Sequence, residues 1–195
     1  MGAALGSLSS TLRFDNEVEV DIQMQTVSLA ASKQLNDKLS LRGGIGLIHD
    51  GTLNPENRLA QNVMPGGVIA VGLEYLQATG EGYTPSIDYS FFVSASSTKT
   101  EEPLTQEQTN YFSSDLRLGA RASWNISYKY FPYLSARVFG GPVSWKMDNT
   151  EVMGSDIHHY QVALGTAVQF GSMGTFLELS PLGEQTASVG FSYAW

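Results

Sequence analysis

The chain has 195 residues, of which 42% are hydrophobic and only 15% charged, with a formal net charge of -8. That length suits one domain, and an acidic balance excludes a nucleic-acid surface, which needs clustered Lys and Arg. Cysteine is absent, so disulfides, thiol catalysis and Cys-ligated metals are excluded, and no stretch approaches the ~20 apolar residues of a membrane helix.

Side chains alternate apolar and polar nearly everywhere, the period of strands whose two faces meet different surroundings. In chain order the predicted strands are 5-14, 18-33, 39-49, 67-76, 86-97, 111-124, 132-145, 159-170, 175-182 and 186-195. In the second, Val18, Val20, Ile22 and Met24 give way near Thr26 to Val27, Leu29 and Ala31. A β-bulge would produce that phase change. The sixth sets Leu116, Leu118, Ala120, Ala122 and Trp124 against Asp115, Arg117, Gly119 and Arg121. Segments 34-38 and 171-174 are tight polar turns, whereas 50-66, 98-110 and 146-158 are long, polar and expected to be solvated loops.

The expected fold is all-β: a closed antiparallel up-and-down transmembrane β-barrel of about ten strands, eight being the nearest alternative, in one domain over 1-195. The charges point the polar face inward. All five lysines (Lys33, Lys38, Lys99, Lys129, Lys146) fall at strand ends or in loops, while Arg13, Arg42, Arg117, Arg121 and Arg137 fall within strands. A crowded interior favours the planar, multiply donating guanidinium. Glu19, Asp21, Glu74, Asp88, Asp115 and Glu178 share that face as acceptors. Together these residues form an expected lumen charge network, read as a polar plug because small barrels leave a side-chain-filled interior. The aromatic residues sort into two expected rims. One holds Tyr75, Trp124, Tyr128, Tyr130, Phe131, Tyr133, Phe170, Phe176, Tyr193 and Trp195; the other holds Phe14, Tyr111, Phe112, Trp145 and Tyr160.

Val189, Phe191, Tyr193 and Trp195 form one face of the last segment, with Ser188, Gly190, Ser192 and Ala194 on the other. This strand resembles the terminal strand of bacterial outer-membrane β-barrel proteins, which ends in an aromatic residue with apolar residues at alternate positions. The resemblance implies that these four residues are the signal read by the barrel-assembly machinery, that outer-membrane lipid surrounds the barrel, and that both termini are periplasmic. Residues 1-14 carry no leader pattern, so the chain is expected to be the mature, exported form.

Chemistry is sparse. Asp156 and His158 resemble the Asp-x-His pair of the omptins, ten-stranded surface proteases, but omptins are longer, and the second aspartate pair has no clear match beyond Asp50 beside His49. His49, His158 and His159 could ligate a metal only if their loops converged; they are expected to be solvated. No nucleophile elbow or phosphate loop is present, and neither cofactor nor enzymatic activity is expected. Loop 98-110 carries Glu101, Glu102 and Glu107 against Lys99, and loop 146-158 carries Asp148, Glu151 and Asp156 against Lys146. Such loops suit a protein partner or divalent cations. The expected role is a structural or surface one, with loops 50-66, 98-110 and 146-158 meeting an envelope or surface protein. A narrow pore for small solutes is the second reading, and a surface hydrolase the third.

Overall fold

In a computed structural model, which describes residues 1-56, 58-80, 83-127, 129-147 and 150-194, the described residues contain no helix. Thirteen antiparallel strands form one sheet with ring-like hydrogen bonding. They are β1 (Gly2–Phe14), β2 (Glu19–Gln34), β3 (Leu39–Pro55), β4 (Gln61–Val63), β5 (Gly66–Ala78), β6 (Ser86–Glu101), β7 (Gln108–Ser123), β8 (Tyr130–Gly140), β9 (Val143–Met147), β10 (Thr150–Asp156), β11 (Tyr160–Phe170), β12 (Met173–Gly183) and β13 (Gln185–Tyr193).

The expected strand 132-145 is split into β8 and β9. Pro142 has no amide proton for a ladder, and Gly141 lies so close to β7 that an added Cβ would stand 1.8 Å from the Ser114 carbonyl oxygen. The expected loops are the larger correction: β3 runs on to Pro55, β6 and β7 extend to Glu101 and from Gln108, and 146-158 contains β10. These segments continue the period-two pattern, and Leu53, Val63, Tyr111, Trp145 and Val152 are buried within it. An apolar face with a core to fill stays in the sheet, however polar its other face.

Two hydrogen-bonded circuits share the long strands. At the end bearing the tight turns, neighbours run β1-β2-β3-β5-β6-β7-β8-β11-β12-β13 and return to β1, where Gly2 faces Ser192 and Ser9 faces Gln185. At the other end β11, β12 and β13 have stopped. There β7 pairs with β9 (Tyr111 with Trp145), β9 with β10, and β10 with β1 (Phe14 with Gly154). On the far side, β4 bridges β3 and β6 through Thr52–Asn62 and Val63–Thr100. Backbone bonds close the seam where strands drop out: the Ile157 amide donates to the Thr11 carbonyl at 2.9 Å, and the Glu184 amide to that of Tyr160 at 3.1 Å. The β12–β13 turn beneath it depends on Gly183, whose φ is 77° and where an added Cβ would stand 1.9 Å from the Tyr160 carbonyl oxygen.

The two ends have opposite polarity. At the turn end the outward side chains are apolar: Ile45, Leu47 and Ile69 are 63%, 65% and 62% exposed. At the loop end Val20, Leu53 and Trp145 face inward with no exposure at all, while Asp21, Gln23 and Gln25 face out. This accounts for the phase change in β2. Burial alternates without a break from Val20 to Ser28, so the strand keeps its faces, and what changes is the chemistry each face meets. The ladder does shift at Gln25/Thr26, but the unpaired residue, His49, belongs to β3.

Candidate functional site

The lumen at the turn end is a cavity of about 1060 Å³ lined by Arg42, Glu74, Asp88, Arg121, Arg137 and Glu178 among others. Neighbouring strands supply the partners. Arg121 on β7 lies opposite Asp88 on β6 and donates to it through Nε at 3.0 Å. Arg42 on β3 meets Glu74 on the adjacent β5 through Nε at 3.0 Å. Arg137 grips Glu178 with both terminal nitrogens, at 2.8 and 2.9 Å, and also donates to Gln161 Oε1 at 2.7 Å. Deeper in, Arg117 bridges Asp115 and Glu184, each at 3.1 Å, with its guanidinium 4.5 Å from the Phe139 ring centroid. A guanidinium can serve several acceptors at once, which lets these charges share a confined space.

Three residues expected in this network lie elsewhere. Arg13 pairs with Glu19 on the outer surface, their side chains 60% and 40% exposed, and Asp21, also outward, accepts from the Thr11 hydroxyl at 2.7 Å. They occupy the polar face of their strands, but at the loop end that face looks out. Two lumen residues escaped the sequence reading. Gln161 is 1% exposed and donates to Thr186 Oγ1 at 2.9 Å and to the Glu184 carbonyl at 3.3 Å. Its place on the polar face of β11 was a usable signal. Glu184 sits in a turn, where an acidic residue ordinarily reads as solvated, and nothing in the sequence marks it.

Above the charges, Leu12, Phe14, Ile22, Ile48, Tyr111, Val143 and Met147 join Val20, Leu53 and Trp145 in a continuous apolar core. The Trp145 indole N–H donates to Thr100 Oγ1 at 3.0 Å and to Thr109 Oγ1 at 3.2 Å. The aromatic rims need correction accordingly. Phe14, Tyr111 and Trp145 are core residues, leaving Phe112 and Tyr160 exposed at that level. At the other rim, Tyr75, Tyr130, Phe170 and Tyr193 are exposed, but Phe131, Tyr133 and Phe176 line the cavity. Val189, Phe191 and Tyr193 are outward on β13; Trp195, together with Tyr128 and Asp148, lies outside the described residues.

The histidines do not converge. His49, His158 and His159 are exposed, and no group of three or more His, Asp or Glu suited to a metal occurs among the described residues. Both Asp156 oxygens are engaged, Oδ2 by the Ser10 hydroxyl at 2.5 Å and Oδ1 by the His158 amide at 2.7 Å. Burial pushes this carboxyl above its ordinary range, with those hydrogen bonds pulling it back.

The fold resembles the translocator domain of the autotransporter NalP from Neisseria meningitidis, with 10% identity, a TM-score of 0.52, and coverage of 100% of this chain and 88% of that one. It also resembles the transport unit of the autotransporter AIDA-I from Escherichia coli, with 12% identity, a TM-score of 0.51, and coverage of 100% and 89%. No family model and no curated protein matches the chain. At such identities the likeness is one of fold: this is the fold of outer-membrane β-barrels.

Proposed function

We propose that the chain is an integral, non-conducting barrel of a bacterial outer membrane, whose loop end is a rigid platform for an envelope or surface protein partner. The membrane-crossing part is a closed barrel of ten strands, namely β1, β2, β3, β5, β6, β7, β8, β11, β12 and β13. Its exposed apolar band faces lipid, and strands of ~9-11 residues suffice to cross when tilted. The short turns and both termini are periplasmic, and the barrel-assembly machinery reads the last strand. Above the band the circuit narrows to eight strands, β1, β2, β3, β4, β6, β7, β9 and β10, with a water-facing exterior.

The observation that carries this reading is the apolar core across the loop end, where Val20, Leu53 and Trp145 have no exposure. An ion crossing that layer would shed its hydration against side chains that offer no replacement. Strands packed on that core hold acidic side chains in fixed geometry: Glu101 on β6 accepts from Gln108 on β7 at 2.9 Å, and Glu151 on β10 from the Ser144 hydroxyl on β9 at 2.7 Å. The role is structural or surface-binding, with no turnover assigned. Single-channel recording of the refolded protein in a planar bilayer tests it, with a heat-shifted gel band as the folding control. Silence from a folded barrel is expected. Steady openings that respond to neutralising Arg117 would replace this reading with that of a narrow pore.

A further inference from the structure

We propose that the turn-end cavity is a binding site for a small organic anion bearing a carboxylate or phosphate, held chiefly by Arg121 and Arg42. Three observations converge. First, in three of the lumen pairs the carboxylate is less exposed than its arginine: side-chain exposures are 42% and 16% for Arg42–Glu74, 36% and 13% for Arg121–Asp88, and 24% and 12% for Arg137–Glu178, whereas Arg117 and Asp115 are equally exposed. Each pair is neutral as a whole, yet the end it turns toward the cavity is the cationic one.

Second, the arginines are not equally spent. Arg137 commits both terminal nitrogens to Glu178 and Gln161. Arg42 and Arg121 each meet a carboxylate most closely through Nε, and among the described residues no hydrogen bond joins their terminal nitrogens to a carboxylate. A guanidinium edge with two parallel N–H groups is the geometry that takes a carboxylate or phosphate in bidentate fashion. The two sit on one arc of the wall, for β3, β5, β6 and β7 are successive neighbours, with Glu74 and Asp88 between them.

Third, the Ser135 hydroxyl is buried, 3% exposed, and has no hydrogen-bond partner among the described residues, although it lines the same cavity. Ser135 lies directly opposite Arg121 in the β7–β8 ladder. Buried polar atoms without a partner are few in native proteins, and this one shares the inward face of the wall with Arg121. The Tyr133 ring, 5.7 Å from the Arg121 guanidinium carbon, adds an apolar wall for the rest of the ligand. At about 1060 Å³ the space accommodates a compact metabolite. Its lining reaches the rim at Met1, Gln34 and Ser172, which makes the turn end the entrance.

The test is calorimetric titration of the refolded full chain in micelles at low ionic strength, with succinate, inorganic phosphate and glucose as separate probes. Saturable binding of succinate or phosphate is expected, with glucose at least tenfold weaker. Which anion binds identifies the headgroup. The double substitution Arg121→Gln with Asp88→Asn removes both charges and keeps the packing, and should weaken anion binding tenfold or more. Ser135→Ala, which leaves every charge in place, should weaken it severalfold, and Arg13→Gln should leave it unchanged. Absence of saturable anion binding, equal binding of glucose, or full affinity in the Arg121→Gln/Asp88→Asn protein would each overturn the proposal. Titration reads the cavity and conductance reads the apolar seal, so either result can fail while the other stands.

Discussion

The two halves of the lumen share the long strands β1, β2, β3, β6 and β7 but give them opposite chemistry. On β2 the inward residues are Val20, Ile22 and Met24 at the loop end and Thr26 and Ser28 toward the turn end, while the outward ones pass from Asp21, Gln23 and Gln25 to Val27 and Leu29. Alternation therefore specifies a strand, and only the sense of the alternation specifies its solvent. On the proposed membrane reading lipid lies outside the turn end, so apolar residues turn out and the lumen is left to Arg, Glu, Ser and Gly. Where water lies outside, apolar residues turn in, and the same strands pack an interior like that of a soluble barrel.

The comparison breaks most visibly at Trp145. If the loop end is a true core, Trp145→Ala removes its largest buried side chain and the indole donor to Thr100 and Thr109. A loss of about 3-5 kcal/mol in unfolding free energy is expected, read as a lower urea midpoint in micelles. Solvated loops would lose no more than about 0.5 kcal/mol, so an unshifted midpoint would sink the core.

The turn end should fail for a different reason. Arg137→Met leaves Glu178 without its bidentate partner in a site where it is only 12% exposed at the side chain. Stripping one member from such a pair costs about 3 kcal/mol, most of it the cost of leaving the other charge unpaired. Adding Glu178→Gln to Arg137→Met should then recover much of the loss, and a double-mutant cycle measures how much. Equal destabilisation in the single and double proteins would mean that Arg137 acts through packing alone.

The strands were legible because period two survives any change of surroundings: 86-97 and 159-170 differ from β6 and β11 only at their ends. Less legible was the reversal of sense, for a polar face reads the same whether it meets water or a lumen. Arg13 and Arg117 both sit among alternating apolar residues, yet one is outside and the other within. The loops misled for a related reason. Segment 146-158 is rich in charge, but two of its apolar residues, Met147 and Val152, are buried. The charged side chains lining the cavity were readable from the polar face of their strands; Glu184, which meets Arg117 deeper in the lumen, was not, because a turn residue has no face until the chain above it has folded over.

Arg13 supplies the finest test of which way a face points. It donates to Glu19 through Nε at 3.0 Å, but with side chains 60% and 40% exposed. An ion pair in water gains little, because solvent screens the attraction and the side chains surrender freedom to hold it. Arg13→Gln is therefore expected to cost about 0-1 kcal/mol, and that small difference should vanish at high salt, where the Debye length shrinks to about 3 Å. Were Arg13 within the lumen, as its place on the polar face of its strand suggests, the same change would strand Glu19 and cost as much as Arg137→Met, with little dependence on salt. Urea midpoints for the two substitutions at low and high salt separate these cases, since burial sets both the size of the loss and its response to ions.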